Sequence, residues 1–414
     1  MNTARQALSG KLSRVEFTLM MSMLMAVTAL AIDLMLPAFG VMREHFGLAA
    51  DSNALAPVVT FFLMGLAVGQ LVLGPMSDAF GRKPLLYFGL ALYIAAAIGA
   101  AFAPSLGMLF ALRFIGGIGG AGVRVAAVPL VRDAFEGEQM ARVMSYIMAV
   151  FIMVPVIAPT LGAALLQIGS WQLLFWAIAV FGLLVGLWCL RLPETLHPAD
   201  RIPLNPEKLK QSAATVVRNR FTMGLTLSQT LLFGFFASYL ASSQLIIDDV
   251  FGLDPWFPLI FAATAVVLGI GMLVNTRLLK HFTLRPIMAG VMATYLVAST
   301  VFALTAIVTS GTPPFWLYMA TLLPIIGCHA LLIPNINAAS MIPMGAVAGM
   351  ATAVIGTISM LFGAGIGAFV DTLYDGTILP LAIATAVLTY LSYAFYRWAD
   401  AIWDRVDEAE LERV

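Results

Sequence analysis

Apolar residues run the length of the chain in stretches interrupted by short polar clusters. About 20 consecutive apolar residues cross a bilayer as a helix. The pattern predicts twelve spans: 15–39, 54–79, 84–103, 105–131, 139–167, 170–190, 219–247, 256–280, 285–309, 313–338, 346–371 and 377–402. Most connections are short. The exception, 191–218, reads "RLPETLHPADRIPLNPEKLKQSAATVVR" and is rich in charge and proline. It predicts an all-α membrane protein in two six-helix bundles, 1–190 and 219–414 with a short tail, joined by a linker at 191–218. A six-plus-six arrangement suggests two repeats enclosing a midplane site.

Composition agrees. Of 414 residues, 61% are hydrophobic and 11% charged, against roughly 25% charged in a soluble domain. The first span is too long for a signal-peptide core and has no small-residue cleavage site after it, so it is expected to be retained. Cys189 and Cys328 lie inside apolar runs, which suits neither an exposed disulfide, a zinc site nor a thiol catalyst. No GxxxxGK[ST] loop is present. Net charge is zero with no basic tract, which gives nucleic acid nothing to bind. No nucleophile–base set or metal cluster points to an enzyme.

Positive charge sets orientation in a membrane. Of the 22 lysines and arginines, all but Arg43, Arg113 and Arg124 fall on one side of the predicted spans. Both termini are therefore expected in the cytoplasm, which requires an even number of spans.

The connection after span 2 reads "GPMSDAFGRKP" (74–84), and the one after span 8 reads "NTRLLKHFTLRP" (275–286). The second is a degenerate echo of the first, six spans later. Gly74 and Gly81 would permit close approach and a tight turn, and Pro75 would break the helical ladder. Asp78, Arg82 and Lys83 can pair with one another or with helix ends. This loop resembles that of the major facilitator superfamily, which reads G-x-x-x-D-x-x-G-R-[RK]; Gly74, Asp78, Gly81, Arg82 and Lys83 match in order. "LRFIGG" (112–117) is similar to the family's span-4 signature, with Arg113 as its arginine. "VPVIAPTLGAAL" (154–165) resembles the span-5 signature of proton-driven exporters: Pro155, Pro159 and Gly162 match, with Ala158–Pro159 where Gly-Pro is usual. "VRDAF" (131–135), "LPETL" (192–196) and "DLMLP" (33–37) resemble the bicyclomycin and chloramphenicol resistance branch of drug:proton antiporters. The resemblance covers the whole chain. It implies the major facilitator fold, a gating loop extended to Asp133, and proton coupling through an acid in span 1.

The apolar run of span 1 from Phe17 to Phe39 carries one acid, Asp33, where a charge at the helix centre costs about 2.5–3.5 kcal/mol. Ser22, Ala26 and Ala29 share its face at helical spacing, and Met20, Met23, Leu24 and Leu30 occupy the others. Counted at 1.5 Å per residue, Asp33 lies about 9 Å from one membrane face and Arg113 about 12 Å, whereas Arg124 lies about 28 Å in. Depth therefore selects Arg113 as the partner of Asp33. Desolvation draws a buried carboxylate toward its neutral form and a cation draws it toward its charged form. Balanced between them, it can take a proton from one side and release it on the other. The other reading is a static pair locking spans 1 and 4. Relatives can carry a second acid about two turns earlier, where this chain has Met25, so a single titrating site is expected.

Other residues carry weaker signals. Arg124 either attracts anionic or carbonyl-bearing substrates or snorkels toward the membrane surface. His329 can titrate near neutrality or serve only packing. Thr222, Gln229, Phe233, Phe236 and Ser243 form a mixed stripe on span 7 that suits an amphipathic ligand or plain helix packing. Tyr146 and Phe151 of span 5 are candidates to reach the same cavity. "GGIGGAG" (116–122) and Gly363 fit close helix approach.

The expected function is export of small amphipathic drugs or antibiotics in exchange for protons across a bacterial inner membrane, by alternating access. The chain is expected to act as a monomer in the lipid bilayer, with protons as coupling ion and no other cofactor or metal. The alternative is a transporter of the same fold for a physiological metabolite, with import as well as export open to it.

Overall fold

The computed structural model describes residues 12–406. Among them, twelve helices are long and apolar enough to cross a membrane: Arg14–His45, Pro57–Phe80, Arg82–Ala101, Leu106–Ala134, Gly137–Leu166, Gln172–Arg191, Arg220–Val250, Asp254–Leu278, Leu284–Val308, Phe315–Ser340, Ile342–Asp371 and Leu379–Asp400. These are spans 1–12. No strand occurs among the described residues. Arg5, Lys11 and Arg413, counted above among the basic residues of one side, lie outside the described residues.

The chain divides into two compact units, one of 1–49 and 57–206, the other of 50–56 and 207–414. The boundary thus falls inside the predicted linker. Residues 191–206 go with the first unit and 207–218 with the second. The linker is also more ordered than its composition suggested. Pro206–Arg218 forms an amphipathic helix, and its Val216 is buried among Met344, Ala351, Val354 and Ile355 of the second unit.

In the first unit, span 4 packs closely against spans 2 and 3. Its glycines are the reason. A Cβ at Gly117 would overlap the carbonyl oxygen of Phe62 in span 2, and one at Gly119 would come within 2.5 Å of the Tyr93 nitrogen in span 3. Backbone thus meets backbone along "GGIGGAG", as small residues permit in membranes. In the second unit span 7 is the central element, packed on spans 11 and 12. Gly363 and Gly367 of span 11 sit against the carbonyls of Thr230 and Gly234, each within 2.9 Å of where a Cβ would lie.

Span 1 departs from the expected single helix. Its regular α-helix ends at Asp33, a 3₁₀ turn covers Leu36–Ala38, and a short helix resumes at Phe39–His45. Pro37 supplies the cause: it has no N–H to donate and crowds the residue before it. Asp33 is therefore the last residue of the regular helix rather than one inside it. The small-residue face is not distinguished by burial either, because Met20 and Leu24 on the other faces are fully buried too.

Candidate functional site

The break in span 1 is held from three sides, all within the first unit. Gly162 of span 5 lies so close to the Leu34 carbonyl that a Cβ there would overlap it. Span 5 carries Pro155 and Pro159 inside its helix, with Gly162 one turn beyond Ala158. Tyr93 of span 3 donates its hydroxyl to the Val27 carbonyl at 2.8 Å. Arg113 of span 4 donates Nη2 to the Ala31 carbonyl at 2.9 Å and Nε to the Val58 carbonyl of span 2 at 3.0 Å. Its guanidinium also lies 4.3 Å from the Phe62 ring centre, a favourable cation–π placement.

Asp33 and Arg113 are 4% and 5% exposed, and Arg113 reaches a carbonyl two residues from Asp33. The depth match holds, but the expected ion pair does not form. Carbonyls in the last turn of a helix lose their intrahelical donors, and the arginine fork takes Ala31 there and Val58 opposite. No hydrogen bond or ion pair reaches the Asp33 carboxylate from any described residue. The donors around it hold the backbone of span 1 and leave the acid itself free. The sequence offered no sign of this division, since carbonyl acceptors do not depend on residue type.

The loop between spans 2 and 3 forms a second cluster. Gly81 adopts φ 109°, a region that other residues rarely enter, and starts span 3. Arg82, 4% exposed, donates to Asp78 at 2.5 Å and Ser77 at 3.0 Å, and its Nε lies 3.6 Å from Asp133 of span 4. The predicted extension to Asp133 is present, and Asp133 also accepts from Thr195 at 3.0 Å. Gly74 differs from expectation. It lies within the helix of span 2, which continues through Pro75 to Phe80, and a side chain there would meet nothing within 4 Å. Close approach does not require this glycine.

Glu194, in the "LPETL" stretch, has a role the sequence did not reveal. Its Oε1 accepts from the Arg82, Thr195 and Leu196 amides at 3.0–3.1 Å, and its Oε2 from the Lys83 amide at 3.0 Å. It thus satisfies the first two orphan amides of span 3, where a helix favours negative charge. A Cβ at Gly81 would lie 2.6 Å from Oε2, so the glycine is needed for the acid to dock. Lys83 Nζ donates to the Leu190 carbonyl at 3.2 Å. An acid just after span 6, among basic residues, was the available signal.

The remaining candidates separate by burial. On span 7, Thr222 donates to the Ser340 carbonyl at 3.0 Å, Gln229 to Ser359 Oγ at 2.7 Å, and buried Ser243 to its own Leu240 carbonyl at 3.3 Å. These polar groups are engaged within the second unit. Phe233 and Phe236 are half-buried; Phe233 packs on Gly363, and Phe236 stacks on His329 with ring centres 4.6 Å apart. The His329 Nδ1 is buried without a partner. In the first unit, Arg124 and Tyr146 are exposed and Phe151 half-buried. Arg124 makes no hydrogen bond or ion pair with a described residue. Among the described residues no group of three or more His, Cys, Asp or Glu is placed to hold a metal.

Residues 21–370 match the Major Facilitator Superfamily. A bicyclomycin resistance protein homolog of Haemophilus influenzae is 26% identical over 384 residues, covering 92% of this chain and 95% of its own. The multidrug resistance protein MdtL of Escherichia coli is 29% identical over 233 residues, 55% of this chain and 58% of its own. Among solved structures, a D-xylose–proton symporter superposes with a TM-score of 0.72 at 14% identity, covering 92% of this chain and 97% of that one.

Proposed function

The chain belongs to the Major Facilitator Superfamily and is a membrane transporter, not an enzyme, and from that premise we propose that it exports small amphipathic compounds in exchange for protons. The observation that carries the proposal is Asp33. An acid buried at the end of a span with no partner carries a charge at high cost, whereas the neutral acid escapes that cost. Such a group exchanges protons without dismantling the packing around it, because Tyr93 and Arg113 hold the backbone instead. The names of the resistance relatives support drugs or antibiotics as the substrate class. Of the residues predicted to meet substrate, Arg124, Tyr146 and Phe151 in the first unit keep exposed surface, and so do Phe233 and Phe236 in the second. The distribution of basic residues supports both termini in the cytoplasm, and the bacterial relatives support a bacterial inner membrane. The transporter works as a monomer by alternating access, with the Asp78–Arg82–Asp133 cluster as its gating contact and protons as its coupling ion.

The test is transport by purified protein in liposomes with an imposed pH gradient. Asp33→Asn preserves volume and mimics the protonated acid. It should keep substrate binding, with little pH dependence, and lose uphill export. Uphill export at the wild-type rate by this variant would return Asp33 to a structural role. Flux of the substrate in the direction of the protons would instead mark an importer.

A further inference from the structure

A second buried carboxylate lies in the second unit. Asp371, the last residue of span 11, is 6% exposed. Its Oδ1 accepts from Ser238 Oγ at 2.5 Å and from Ser242 Oγ at 2.7 Å. Its Oδ2 is buried with no partner. The two serines stand four residues apart on span 7, hence on one face. Gly367 brings spans 7 and 11 close enough for such short side chains to reach, since a Cβ there would sit 2.9 Å from the Ser238 amide nitrogen. Segment 50–56 closes the cluster: Asn53 Nδ2 donates to Ser242 Oγ at 2.9 Å and to the Asp371 carbonyl at 3.1 Å.

At this end of spans 7 and 11 and on segment 50–56, the titratable residues are acids and the phenols Tyr239 and Tyr374. Asp51 lies on the segment, Asp248 and Asp249 on the turn closing span 7, and Tyr374 and Asp375 just past span 11. Tyr374 donates to Asp249 at 2.6 Å, and Asp375 accepts from Thr377 at 2.7 Å. The basic residues of the packed spans, Arg220 of span 7 and Arg397 of span 12, stand at the opposite ends of their helices. Among the described residues, the Asp371 carboxylate accepts from two hydroxyls and forms no ion pair.

We propose that Asp371 is a second proton-binding site of this transporter, and that its proton loosens the hold on segment 50–56. The proton adds to Oδ2, the oxygen without a donor. Each serine hydroxyl has one hydrogen. While Asp371 is an anion, both hydrogens point at Oδ1, which leaves the Ser242 lone pairs to accept from Asn53. With the acid neutral, Oδ1 is a weaker acceptor, because hydrogen bonds to ionised groups are the stronger ones. The hydroxyls then turn to carbonyls one turn back, as Thr226 and Thr230 already do on the same span. That swing of the Ser242 side chain carries its Oγ away from Asn53, which loses one of its two acceptors. The chain on either side of segment 50–56 belongs to the first unit, so the proton acts on the connection between spans 1 and 2.

A nitroxide on Ala50→Cys, an exposed position of the segment, reads this hold by spectroscopy, with Cys189 and Cys328 replaced by alanine. The mobile fraction should rise about three- to tenfold as pH falls, the equivalent of one ordinary hydrogen bond. Asp371→Asn should make it independent of pH, and Asp33→Asn should leave the response intact, which separates this proposal from the role of Asp33. Infrared pH-difference spectra give the second readout. In an Asp33→Asn background, a buried protonated-carboxyl band should vanish on adding Asp371→Asn and persist on adding Ser242→Ala, while Ser242→Ala abolishes the segment's response. A segment that ignores pH in the unsubstituted protein, or a response or band that survives Asp371→Asn, overturns the proposal.

Discussion

Asp33 and Glu194 are carboxylates of the same unit treated in opposite ways. Glu194 receives four backbone amides shared over both oxygens. Asp33 receives none, although Tyr93 and Arg113 place donors on Val27 and Ala31 of its own helix. A carboxylate with all its donors in place is fixed in charge, because losing that charge would leave several amides with a weaker acceptor. A carboxylate whose donors are diverted to the neighbouring backbone is fixed in position and left free in charge. Asp371 lies between these limits, with one oxygen bonded and one bare. In this protein the number of donors, rather than depth, separates Glu194 from Asp33 and Asp371.

The sharpest challenge to this contrast is Arg113→Lys. If Arg113 serves to grip the backbone of spans 1 and 2, a lysine keeps the charge and loses the fork. Hydrogen bonds to charged groups contribute about 1.5–3 kcal/mol, so thermal unfolding in detergent should show a loss of that order while the pH dependence of transport stays put. A variant that kept its stability and shifted its pH profile would make Arg113 a counter-ion after all. Next in size is Glu194→Ala. Removing a helix cap costs about 0.5–2 kcal/mol, and here the Arg82–Asp78–Asp133 cluster should loosen with it. Melting measurements with Glu194→Ala, Asp78→Asn and the double variant should show the two losses failing to add; independent losses would separate the cap from the cluster. The smallest effect belongs to Asp33→Asn. With no donors to lose, its stability should stay within about 0.5 kcal/mol of the parent, as for substitutions away from any network. A large loss would reveal a partner for Asp33 and erase its difference from Glu194.

The twelve spans were legible because bilayer thickness imposes a length on every apolar run. The loop between spans 2 and 3 was legible for a similar reason, since the charges of Asp78, Arg82 and Lys83 mark the turn between two apolar runs. Glycine approach was legible in "GGIGGAG" but misplaced at Gly74, where the packing it would allow is absent. The break at Asp33 could have been read from Pro37, four residues on. The rest required the fold. Glu194 meets amides more than a hundred residues back in the chain, and amides do not depend on residue type. Asp371 ends an apolar run, where an acid reads as a loop residue; only Ser238 and Ser242 from another span show that it is inside. The Asp33–Arg113 pairing failed because depth fixes how far along a helix a residue lies and not which atom a long side chain chooses.

Arg113 has a consequence for how the protein is made. Each arginine at a helix centre costs about 2.5–3.5 kcal/mol on insertion scales, and span 4 brings Arg124 as well, along with its glycines. Both acceptors of Arg113, Ala31 and Val58, lie in spans 1 and 2, which leave the ribosome earlier. So do the backbones of spans 2 and 3 that its glycines meet. Span 4 enters the membrane as a poorly greasy segment whose Arg113 acceptors and glycine contacts have already been synthesised. Its integration is therefore an act of assembly, in which the first three spans serve as its solvent.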